Sequence, residues 1–268
     1  MSTPETYQVY AIRYATKADR QRRENFIAAD PHEGAMPIDY YVWAIVNPRR
    51  TIVVDTGFDH EEGQRRGRVL TRLPREGLAM LGIDSGKVAD VVITHLHYDH
   101  AGTLTDFPQA HVHVQDREMA YASGRYMRHA PFRHSYSASH VKQMIDRLFD
   151  GRLEFHDGDE EIAPGVSVHL IGGHTMGIQC VRVHTQRGWI VLAADASHFY
   201  ENMEKISPFP IVFSVADMIE GYGKLRRLAD SNQHIIPGHD PLVMARYAAP
   251  SRELQGIVAS LDGEPLVQ

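Results

Sequence analysis

The chain has 268 residues, 28 Lys and Arg against 34 Asp and Glu for a formal charge of −6, and 43% hydrophobic residues, which excludes wholesale disorder and allows a substantial core. The net acidity argues against a nucleic-acid partner, and the single cysteine, Cys180, excludes an internal disulfide and any cysteine-rich zinc module. No apolar run approaches the roughly 20 residues of a membrane helix, and Met1 to Thr6 has no leader character, so a cytoplasmic protein with no membrane contact is expected.

The first predicted elements are strands, at Tyr7 to Tyr14, Asp39 to Asn47 and Thr51 to Asp55, the last two joined by Pro48-Arg49-Arg50 as in a hairpin. Between the first two lies a polar segment, Lys17 to Pro37, long enough to be a binding loop and carrying Phe26, Ile27 and Met36. Glu61 to Leu81 reads as helical. The arginines at 20, 22 and 23 and at 65, 66 and 68 read as solvated faces in an acidic protein. A short buried strand, Val91 to Thr94, runs into a histidine cluster, followed by a strand at Ala110 to Val114 and a helix at Asp116 to Ala122. An aromatic, basic segment leads to a helix from Ser139 with Val141, Met144, Ile145 and Leu148 on one face. Strands recur at Leu153 to His156, Val166 to Ile171, Gln179 to Val183 and Trp189 to Ala194. Ser214 to Asp217 is a capping-box start for a helix with the stripe Val215, Met218, Ile219, Tyr222 and Leu225. A last strand, His234 to Ile236, ends at Pro237-Gly238-His239. Grouped strands separated by helices with one apolar face imply sheets packed face to face with helices outside, in one α/β domain over residues 1–268.

The chemistry is concentrated in Thr94-His95-Leu96-His97-Tyr98-Asp99-His100-Ala101-Gly102. In extended chain His95 and His97 point to one side, and the turn that follows swings Asp99 and His100 round beside them. Three imidazoles and a carboxylate within six residues are costly to bury unless an ion ligates them, and the donor set suits Zn(II), with Fe or Mn as alternates. The nearby His111-Val112-His113 lacks the following Asp-His and reads as strand alternation, as does His169. Three further strand ends stop at a ligand-type residue among small ones: Gly172-Gly173-His174, Ala193-Ala194-Asp195 and Pro237-Gly238-His239.

In that order, His-x-His-x-Asp-His, His174, Asp195 and His239 resemble the metallo-β-lactamase superfamily, and Val53-Val54-Asp55-Thr56-Gly57 resembles its early Asp-x-Gly turn, from about Thr51 to Asp240. The resemblance implies an αββα four-layer sandwich and two divalent metal ions. By position, His95, His97 and His174 would hold one metal and Asp99, His100 and His239 the other, with Asp195 bridging and Asp55 bracing the ligands from behind. Within the superfamily the chain is most similar to the lactonase branch that includes the N-acyl homoserine lactone hydrolases, which implies zinc-dependent opening of a small lactone and a homodimer. Asp99 would then serve as proton shuttle. His198 stands where that branch carries a substrate-binding tyrosine, and would donate to the substrate carbonyl. Phe26, Met36 and Tyr136 are candidates for the substrate pocket. Hydrolysis of another cyclic ester or amide, a glyoxalase II-like thioesterase and a mono-iron persulfide dioxygenase are the alternative activities.

Overall fold

The computed structural model describes residues 4–28 and 32–266, so Met1 to Thr3 of the N-terminal reading and residues 29–31 of the first insertion lie outside the described residues. Along the chain, β1 (Gln8–Lys17), β2 (Ile38–Asn47), β3 (Arg50–Val54), β4 (Val69–Leu70), β5 (Asp90–Val92), β6 (His111–Gln115) and β7 (Leu153–His156) belong to one sheet. A second sheet takes β8 (Glu160–Ala163), β9 (Val166–Leu170), β10 (Gln179–Thr185), β11 (Gly188–Ala194) and β12 (Ile235–Pro237), and the chain returns to the first with β13 (Val258–Ser260). The first sheet runs β13-β1-β2-β3-β5-β6-β7 with β4 beside β1, and the second runs β12-β11-β10-β9-β8. Most pairings are antiparallel; β3-β5-β6-β7 and β11-β12 are parallel.

The alternation within strands explains the layering. In β2, Tyr41, Trp43 and Ile45 face the second sheet and pack with Val168, Val181, Val183, Ile190 and Leu192. Tyr40, Val42 and Ala44 point the other way into a separate cluster. Both faces of β2 are covered, which is why its sequence is an almost unbroken apolar run. Among the helices of the first half, α1 (His60–Arg65), α2 (Pro74–Ala79), α3 (Tyr98–Ala101), α4 (Asp116–Ala122), α5 (Ala130–Arg133) and α6 (Ala138–Phe149), the outer cluster takes Leu78, Met119 and Met144 from α2, α4 and α6. The second half holds α7 (Tyr200–Glu204), α8 (Val215–Leu228) and α9 (Leu242–Arg246), and Met218, Tyr222 and Leu225 of α8 close the far side on Cys180, Val191 and Ala193. The layers are therefore helix, sheet, sheet, helix. No helix among the described residues is long and apolar enough to cross a membrane.

The helical reading of Glu61 to Leu81 is corrected. Gly67 turns the chain at φ 64° after α1, β4 pairs with β1, and Pro74 restarts a helix in the first-turn position where its missing N–H costs nothing. The apolar face read for α6 is narrower than expected: Met144 is fully buried, but Ile145 and Leu148 are 39% and 41% exposed. Ser214 caps α8 as anticipated, its Oγ accepting from the Asp217 N–H at 3.3 Å.

Candidate metal centre

Four strand ends deliver the ligand-type side chains. After β5 the chain stays extended through His97 (ψ 156°), then enters α3, which carries Asp99 and His100. β9 leads through Gly172 and Gly173, both at positive φ, to His174; β11 ends at Asp195 and β12 at His239. Gly238 is required by proximity, since a Cβ there would lie 2.6 Å from the Ala194 carbonyl carbon and 2.9 Å from Asp195 Oδ1.

All seven residues are buried, and they fall into two groups, His95, His97, His174 and Asp195, and Asp99, His100 and His239, with a third, Asp195, His198 and His239, overlapping both. Asp195 divides between them. Its Oδ2 lies 3.1 Å from His174 Nε2 and 3.8 Å from His95 Nε2, while its Oδ1 lies 2.9 Å from His239 Nε2 and 3.3 Å from His100 Nε2. His97 Nδ1 faces His174 Nε2 at 3.0 Å, and Asp99 Oδ2 is 3.8 Å from Nε2 of both His100 and His239. His198, the residue expected to face the substrate, lines the cavity over the cluster; its Nε2 lies 2.9 Å from Asp195 Oδ2 and its ring is flat against Phe209 at 3.8 Å.

The buried Nε2 atoms of His95 and His100 have no hydrogen-bond partner among the described residues. Converging unpaired imidazoles beside carboxylates are what a divalent cation satisfies, so the donor set fits the metals implied by the sequence. The electrostatics divide the histidines: against burial, Asp195 and the neighbouring carboxylates push His100 well above the usual histidine range and His239 above it. Burial, reinforced by neighbouring imidazoles, holds His95 and His97 well below the usual histidine range, leaving their lone pairs free. Burial opposes the charge on Asp195, but the surrounding imidazoles outweigh it and hold the carboxyl well below its ordinary range. Burial pushes His198 down to about 3 against the pull of Asp195, so its ring is neutral.

A second layer fixes the ligands. Asp55, in the left-handed region at φ 60°, accepts from His100 Nδ1 at 2.6 Å, from the Thr94 N–H at 2.7 Å and from the Thr94 hydroxyl at 2.8 Å. His174 Nδ1 donates to the Ile211 carbonyl and His239 Nδ1 to that of Asp39, both at 2.7 Å, which directs each Nε2 inward. Glu118, on α4, was not anticipated from the sequence. Its buried carboxylate accepts from the Leu96 N–H at 2.8 Å, the Tyr136 hydroxyl at 2.9 Å, the Thr175 hydroxyl at 2.5 Å and the Gly177 N–H at 3.2 Å, tying the His95–His97 segment to the His174 turn.

A cavity of about 230 Å³ opens over the cluster, with Ile38, Tyr40, Phe209 and Ile211 in its wall beside the ligands. None of the three expected pocket residues lines it. Phe26 is packed under the Arg22 guanidinium, Met36 borders a separate depression, and the Tyr136 ring stands edge-on beneath His97 at 4.7 Å. The solvated-face reading of the arginines is also corrected in part: Arg20, Arg66 and Arg68 line the cavity. A charge run in an acidic chain carries no sign of which members a loop will turn inward. His113, read as half-exposed, is buried and lies 3.0 Å from His156 Nε2, away from the cluster, and His169 pairs with Asp159.

The profile of the metallo-beta-lactamase superfamily matches residues 37–246. An N-acyl homoserine lactonase of Bacillus sp. is 29% identical over 189 residues, 64% of this chain and 70% of the relative. A solved quorum-quenching N-acyl homoserine lactone lactonase superposes with a TM-score of 0.74 at 23% identity, over 89% of this chain and 94% of the other. AidC, a dizinc quorum-quenching lactonase solved with N-hexanoyl-homoserine as product, matches at a TM-score of 0.66 and 14% identity over 89% of each chain.

Proposed function

The chain belongs to the metallo-beta-lactamase superfamily, and from that premise we propose that it is a dinuclear zinc hydrolase that opens a lactone ring. The observation that carries the reading is the division of Asp195, one oxygen toward each of two histidine groups. His95, His97 and His174 would hold one ion, Asp99, His100 and His239 the other, with Asp195 shared. When bound, such a pair supplies an acidified water and polarises the ester carbonyl. All seven ligands leave one sandwich, which supports a single hydrolase unit. The Bacillus relative's activity and the dizinc centre of AidC support lactone and zinc respectively.

The protein's own groups do the rest. Asp99 and Asp195 are the carboxylates in the cavity wall, and Asp195 is enclosed by imidazoles. Asp99 therefore takes the proton to the ring oxygen as the ester opens. His198 has its Nε2 committed to Asp195, and in this reading it holds that carboxylate in place between the two histidine groups. The wall formed by Ile38, Phe209 and Ile211 keeps water off the bound ring. The test is a pH-stat assay of zinc-loaded protein on acyl homoserine lactones, simple γ- and δ-lactones and one thioester. Turnover of lactones with the thioester intact is expected. Cleavage of the thioester alone would overturn the reading in favour of a thioesterase.

A further inference from the structure

Two of the cavity arginines have no carboxylate partner. Arg66 is paired with Glu62, but no acidic side chain lies within ion-pair distance of Arg20 or Arg68 among the described residues. Arg20 donates through Nε to the Asn25 side chain and through Nη2 to the Glu24 carbonyl at 2.7 Å. Arg68 donates through Nε to the Tyr98 hydroxyl at 3.0 Å and through Nη1 to the Arg66 carbonyl at 2.8 Å. These neutral acceptors hold the two guanidinium groups in place, while Glu24 acts on Arg20 and Asp99 on Arg68 from beyond ion-pair distance; among the described residues Nη1 of Arg20 and Nη2 of Arg68 make no hydrogen bond. Each sits one aromatic ring away from the cluster. Arg20 lies over Phe209 at 4.7 Å, and Phe209 stacks on His198; Arg68 lies over Tyr40 at 6.0 Å, and Tyr40 stands against His239 at 5.1 Å.

Resting on the lactonase reading, we propose that the substrate is a compact lactone bearing a carboxylate, which Arg20 and Arg68 grip one ring's width from the scissile ester. Guanidinium forks match carboxylate and phosphate bidentately. The cavity of about 230 Å³ must also take the lactone ring, and of the two anions the carboxylate is the smaller. This cavity lies below the roughly 300 to 1,000 Å³ of drug-sized ligand sites. An uncharged acyl homoserine lactone would give neither arginine an ion-pair partner in the cavity wall, so it is the poorer substrate.

The experiment compares a γ-lactone carrying a ring carboxylate with its carboxamide, on zinc-loaded wild-type protein and on Arg20→Gln and Arg68→Gln. The wild type should favour the carboxylate by about tenfold or more in kcat/KM, chiefly through KM, and each variant should bring the ratio toward one. A wild-type ratio near one, or a ratio unmoved by both substitutions, overturns the proposal. Calorimetric titration with the matching lactams, which keep the shape but not the scissile ester, separates this from the lactonase reading. Preferential binding of the carboxylated lactam, lost in both variants, upholds the anion subsite even if no lactone is cleaved. Equal binding of both lactams, or binding unchanged in both variants, overturns it.

Discussion

Asp99 and Asp55 are both carboxylates beside His100, yet their surroundings give them different work. Asp99 lies in the cavity wall at 3.8 Å from two imidazoles, whereas Asp55 is fully buried and saturated by Thr94 and His100. Asp99→Asn should lower kcat by two to four decades, the range of a positioned acid or base, with the fold intact by circular dichroism; undiminished kcat would remove Asp99 from proton transfer. Asp55→Asn tolerates the same left-handed backbone but replaces an acceptor with an amide facing His100. It should weaken metal affinity about 10- to 100-fold in competition with a chromophoric chelator, and an unchanged affinity would show that Asp55 does not orient His100. At this scale the sequence was informative where chemistry and spacing coincide. His95 to His100, His174, Asp195 and His239 were legible because each follows an apolar strand. Arg20, Arg68 and Glu118 were not, because whether a charged side chain turns inward depends on contacts many residues away: Glu118 meets Leu96 and Thr175, and Arg68 meets Tyr98.

The elements carry the ligands only if their ends are held together. α4 supplies that link through Glu118, and Gly177 must be glycine beside it, since a Cβ would sit 2.0 Å from the Glu118 nitrogen. Glu118→Ala strands four buried donors and should cost about 3 kcal/mol or more in denaturant unfolding; a loss below half a kcal/mol would mean the turn is held elsewhere. Strand positions were read well where both faces are apolar, as in β2 and β11. The segment after α1 was misread because β4 is two residues long and exists only by pairing with β1. β8, Glu160–Ala163, has an edge position and a charged sequence without the alternation that marks a half-buried strand.

For the whole molecule, the metal centre sits where both sheets end, so ion binding and folding are linked. A ligand bound at a thousandfold over its Kd adds about 4 kcal/mol per site. Stripping the metals should therefore lower Tm by roughly 10 °C or more, with recovery on adding zinc back; a Tm indifferent to chelation would contradict a site that cross-links strand ends. The four-layer architecture was legible from grouped strands and one-faced helices, whereas the contents of the cavity wall were not, because loops remote in sequence build it. The most direct measurement of the central claim is lactone hydrolysis during titration of metal-free protein with zinc. Two shared histidine groups predict activity that rises to a plateau at two equivalents per chain. A plateau at one equivalent, or no lactone turnover with two ions bound, would contradict it.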